Sequence, residues 1–193
     1  GGATPVWYRL SFTLDNPLAA QASPPVTISA SGTEIAPVLA DPDPLFPPLA
    51  VIAPKFALLR AGQLSPYPCS DNTVTLTLAV NLAMQLGSVV TVAGFAGASV
   101  DGCASGACSA PILAPPAGAV AGAYGRYGSA GVWDPLGRTL TLSASQPSVA
   151  GIAAVVAFSV RNPPTPQESP DLRARASGVL LGPDPVELPF ESV

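Results

Sequence analysis

The sequence contains no histidine, one lysine (Lys55), one methionine and few charges of either sign, 10% of all residues. Without histidine there is no Ser-His-Asp or Cys-His catalysis and no histidine-ligated metal. The lone lysine stands in APKF, so no phosphate-binding G-x-x-x-x-G-K-[ST] loop exists. The nearest approach to G-x-S-x-G, Tyr127-Gly128-Ser129-Ala130-Gly131, lacks its first glycine and reads as a turn. The arginines are scattered and the net charge is −4, which excludes the clustered basic face that nucleic acid requires. Long apolar runs are missing too. AVIAPKFALL (50–59) and GIAAVVAFSV (151–160) reach about half the length of a membrane-crossing helix. There is neither a signal-peptide pattern nor an N-x-[ST] sequon, so a targeting segment is expected outside this chain and glycans would be O-linked.

What is present is apolar residues, 48% of the chain, with 24 prolines and 18 glycines spread from end to end. That much apolar surface argues against disorder, and prolines at this density exclude long helices. Period-two alternation supplies the strands. It runs through VWYRLSFTL (6–14), TVTLTLAVNL (73–82), SVVTVAGF (88–95), RTLTLSAS (138–145), AVVAFSV (154–160) and DLRARASG (171–178). The segments SDN, GSAG, DPLG and NPP read as turns between them. The expected fold is all-β, an antiparallel immunoglobulin-like β-sandwich, with a barrel as the alternative.

One phrase occurs twice. FTLDNPLAAQASPPVTISASG (12–32) and FSVRNPPTPQESPDLRARASG (158–178) align without a gap, 146 residues apart. They share Phe12/Phe158, Asn16/Asn162, Pro17/Pro163, Gln21/Gln167, Ser23/Ser169 and Pro24/Pro170, then Ala-Ser-Gly at 30–32 and 176–178. Each copy is expected to form the same two-strand hairpin, left at the Asn-Pro step because proline cannot donate to a ladder. A Pro-Asp-Pro follows each copy, at 42–44 and 183–185. The implied parse is a tandem array. Residues 1–36 are closing strands of one sandwich, 37–48 a Pro-rich connector, 49–180 a complete unit of some seven strands, and 181–193 the next connector. The competing parse is one domain with pseudo-symmetric first and last hairpins. In the array, the apolar face of Val6, Tyr8, Leu10, Phe12 and Leu14 requires a partner, from a preceding module or a neighbouring subunit.

Cys103 and Cys108 flank the flexible ASGA and are expected to close a small disulfide loop, implying an oxidising compartment. Cys69 would then be free or bonded to another module or chain. Three buried thiols are the alternative. Calcium at a module boundary would use Asp41 and Asp43 with Asp71 or Asp101, but too few oxygens converge for a site to be assigned. No cofactor and no catalytic residue is assigned. Exposed Pro-rich stretches suited to O-glycosylation or hydroxylation include Pro24-Pro25, Pro47-Pro48, Pro115-Pro116 and Pro163-Pro164.

Several phrases together carry a resemblance: 12–32, APKFALLRAGQLSPYP (53–68), NTVTLTL (72–78), GSVVTVAGFAGA (87–98), WDPLGRTLTL (133–142) and the returning FSVRNP (158–163). They resemble the tandem immunoglobulin-like repeats of very large extracellular proteins of green algae. Those include the proteins that build mastigonemes, the glycosylated hairs on algal cilia. The resemblance spans most of residues 5–180 and consists of strand-and-turn phrases, so it transfers no site residue. It implies a structural protein of the cell or flagellar surface, whose partners are copies of itself, neighbouring repeats and glycans. A second function class is an adhesion or carbohydrate-binding module. Its aromatic candidates are Trp7, Tyr8, Tyr124, Tyr127 and Trp133, with Trp7 foremost because it alternates onto the polar face of its strand.

Overall fold

A computed structural model describes residues 9–17, 19–32, 38–41, 47–116 and 124–178, and the backbone alone of 188–192. The chain divides into two compact units, Gly1–Ala53 and Pro54–Val193.

In the first unit, β1 (Thr27–Ile28) pairs antiparallel with β2 (Val38–Leu39), and Gln21 bridges to Val51. Two side chains reinforce that bridge. Gln21 Nε2 donates to the Leu49 carbonyl at 2.7 Å and Ser23 Oγ to the Pro48 carbonyl at 2.6 Å. The strand expected over 6–14 is not formed in its described part, because residues 9–17 carry no ladder. Alternation prepares a strand but cannot supply the neighbour that a strand needs. Part of the 37–48 segment, read as connector, is the strand β2.

The second unit holds β3 (Phe56–Gln63), β4 (Asp71–Val80), β5 (Val89–Ala93), β6 (Cys108–Pro111) and β7 (Ala130–Asp134). β8 (Thr139–Ser143), β9 (Ala154–Arg161), β10 (Arg173–Ser177) and β11 (Leu188–Ser192) follow. One sheet has the order β11-β10-β5-β8-β7-β6 and the other β3-β4-β9. Every pairing is antiparallel. The fold is thus an all-β antiparallel sandwich. Eight described strands fall within 49–180 rather than seven, and β11 lies in the segment read as the next connector.

Alternation explains which side chains meet between the sheets. On β4 and β9, Leu76, Leu78, Val156 and Phe158 turn inward. Val90, Val92, Leu140, Leu142, Ala174 and Ala176 face them from the other sheet. Trp133 and Phe158 come from opposite sheets, with Phe95 between them at ring-centroid distances of 5.4 and 5.6 Å. The second contact is edge-to-face, a favourable geometry for aromatic quadrupoles. After β6 the chain changes sheets. Ile112 bridges to Phe158, and the Leu113 N–H reaches the Ala157 carbonyl at 2.7 Å.

The hairpin expected in both copies is corrected: in 12–32 the described strand is Thr27–Ile28 alone, and it pairs outside the phrase. Phe158–Arg161 ends β9 in the small sheet, whereas Arg173–Ser177 is β10 in the large one. The linking segment carries Pro163, Pro164, Pro166 and Pro170, which withdraw backbone donors and carry the chain from one sheet to the other.

Candidate functional site

The crossing segment makes one wall of a groove of about 380 Å³ within the second unit. Its other walls are the ends of β3 and β4 and the Phe95–Ala98 turn. Asn162, Pro163, Gln167, Ser169 and Pro170, five of the residues repeated 146 positions earlier, line it. The second copy of the phrase therefore writes a groove wall rather than a hairpin.

Asn72 organises this end of the sandwich. It is buried on β4, and its amide has every hydrogen bond it needs. Nδ2 donates to Gln63 Oε1 at 3.0 Å and to Asn162 Oδ1 at 2.9 Å. Oδ1 accepts from the N–H groups of Leu64 at 3.1 Å and Ser65 at 2.8 Å. Asn162 Nδ2 in turn donates to the carbonyls of Ser65 and Tyr67, at 2.8 and 2.9 Å. A buried amide network satisfied at this level rigidifies its surroundings. The Cys69 N–H closes the same loop onto the Pro163 carbonyl at 3.1 Å. From the crossing segment Gln167 Nε2 donates to the Ala96 carbonyl of the Phe95–Ala98 turn at 2.8 Å. Gly97 has φ +74°, and a Cβ there would press on Pro163 and Gln167. The groove thus offers amide, carbonyl and proline surface with one carboxylate, Glu168. That chemistry suits polar, uncharged ligands or an extended peptide segment.

Cys103 and Cys108 are disulfide-bonded, with Cα atoms 5.7 Å apart. The loop turns on Gly102 and Gly106, both at positive φ. It anchors β6 where Cys108 sits opposite Trp133 in the ladder. Cys69 is a free, exposed thiol on a residue at φ +58°. Pro24, Pro25, Pro47, Pro115, Pro116 and Pro164 are exposed, while Pro48 and Pro163 are half-buried. Trp7, Tyr8 and Asp43 lie outside the described residues. Among the described residues no three carboxylates or thiols cluster as a metal site would require.

Two aromatic candidates for ligand contact are corrected. Trp133 and Tyr127 are core residues and present no ring face to solvent. Burial pushes the Tyr127 phenol well above its ordinary pKa of 10.0, with Arg126 opposing weakly. Its hydroxyl points at Met84 Sδ, 3.7 Å away. Trp133 Nε1 is buried without a hydrogen-bond partner. Sequence reasoning missed Asn72, because SDN (70–72) reads as a turn whereas β4 begins at Asp71. It also missed exposed Tyr67, in the loop that Asn162 holds.

No known family and no curated protein matches the chain.

Proposed function

We propose that this chain is a non-enzymatic segment of an extracellular repeat protein, with immunoglobulin-like sandwiches and Pro-rich connectors assembled into a cell-surface or flagellar filament of the mastigoneme kind. One observation carries the reading: the close of the 146-residue repeat, 27–32 and 173–178, begins with a strand and ends on a glycine in both copies. β1 begins at Thr27, the position equivalent to Arg173 at the start of β10. Both copies then reach a glycine at positive φ, Gly32 and Gly178. In both, the strand pairs antiparallel with the strand that follows it, β2 or β11. A phrase that recurs at a constant offset and closes in the same way is what an array of repeats would write. Its partners are neighbouring repeats and copies of itself, with glycans on the exposed proline stretches. The disulfide accords with an oxidising setting.

The test is immunogold labelling of intact cells with antibody against residues 54–193. Regularly spaced label along a surface filament is expected; label that needs permeabilised cells would overturn the proposal. The groove favours a second reading, an adhesion or carbohydrate-binding module. Glycan-array binding that is lost in Gly97→Val, with folding retained, would select it.

A further inference from the structure

We propose that residues 10–28 are donated strands. In another module of the same repeat they take the place that β9 and the start of β10 take in residues 54–193. The inference rests on the array reading and adds the partner, the register and the contacts.

The 146-residue offset pairs Leu10, Phe12 and Leu14 with Val156, Phe158 and Val160. Their environments are opposite. Leu10, Phe12 and Leu14 are 85, 78 and 56% exposed, against 2, 0 and 5% for their counterparts. Ile28 is likewise exposed where its counterpart Ala174 is wholly buried. The same apolar pattern is thus core in one copy and bare in the other.

The buried copy identifies what covers such a strand. β4 lies beside β9, with Leu76 opposite Val156, Val74 opposite Phe158 and Asn72 opposite Val160. Phe95, from the turn after β5, and Trp133, from the facing sheet, close over Phe158. Asn162, the counterpart of exposed Asn16, is gripped by the 64–70 loop. β10 lies against β5, with Ala174 opposite Val92. In residues 54–193 these places are filled by that unit's own β9 and β10. The occupant of the bare face is therefore the β3–β8 body of a further module. It sets Phe12 opposite the equivalent of Val74 and Ile28 opposite the equivalent of Val92. Asn16 enters the equivalent of the 64–70 loop. Strands placed in this way complete the core of that module rather than make a surface contact.

The test lengthens the chain at its N-terminus with a copy of residues 54–146, so that Gln146 precedes Gly1 and the repeat continues in register. Hydrogen exchange is read on 1–193 and on the lengthened chain. Amides of 10–14 should slow by about 100-fold or more on lengthening, as a fraying segment becomes a core strand. Phe12→Asp should leave the melting temperature of 1–193 unchanged. In the lengthened chain it should destabilise the added body, as Phe158→Asp destabilises its own unit. A protected added body with 10–14 still exchanging fast overturns the donation and leaves the array standing. Protection in neither overturns both. Slow exchange of 10–14 in dilute 1–193, or a loss of stability there on Phe12→Asp, shows that this chain covers the face itself and overturns the inference. Slowing that appears only as 1–193 is concentrated assigns the face to a second copy and overturns it equally.

Discussion

Asn72 and Asn162 show how much a single amide can hold in a sandwich made mostly of apolar strands. Asn72→Leu keeps the branched shape but strands Asn162 Oδ1 and the Ser65 N–H, while the Leu64 N–H retains the Thr73 carbonyl. The expected cost is about 1–3 kcal/mol, measurable by urea denaturation. Trp133 is the opposite case. Trp133→Ala empties the centre of the core and should cost about 3–5 kcal/mol. Trp133→Phe should cost clearly less, because it also removes the unpaired Nε1 donor. Tyr127 is set by burial, and the sign of its effect is definite. Its folded pKa lies above the unfolded value, so the contribution is whole below pH 10.0 and is lost as pH rises beyond it. In an ultraviolet titration, Tyr127 should ionise together with unfolding rather than before it.

The Cys103–Cys108 loop is short, so its stabilisation is near the lower end for a disulfide. The chain-entropy relation gives about 2 kcal/mol for closing so few residues. A Cys103→Ser, Cys108→Ser variant should show that loss in denaturation midpoints and stay indifferent to reductant, unlike the parent. The sequence marked this loop by spacing alone, since small residues between two cysteines permit the turn. It did not mark β6, whose four residues include a proline and show little alternation. β7 was also illegible as a strand, although its Trp133 was legible as an aromatic of interest. The groove wall is an element-scale product as well. Its residues were visible as a repeat, but the wall exists only because β9 and β10 belong to different sheets.

For the whole molecule, the division at Ala53–Pro54 has a direct consequence. Residues 54–193 produced alone should keep their β-sheet circular dichroism, the Cys103–Cys108 bond and the cooperative thermal transition of that unit. A fragment that fails to fold would show that residues 1–53 complete its core. The unit has the size of an ordinary independent domain, which is the physical basis of the expectation.

Alternation along β4, β5, β8, β9 and β10, with proline and glycine punctuation, determined from sequence alone that the chain is all-β and which face of each strand turns inward. Those are local properties, written by side-chain order and backbone stereochemistry. The repeat was equally legible, because identity at a constant offset requires no knowledge of contacts. Tertiary structure alone decided partners. It placed Phe158 and Arg173 in different sheets, made Asn72 a buried hub, and left Leu10, Phe12 and Leu14 exposed while their counterparts became core. A strand's pattern states what it can pair with. Whether it pairs depends on a neighbour distant in sequence, and that neighbour is present for β9 and not for residues 9–17 among those described.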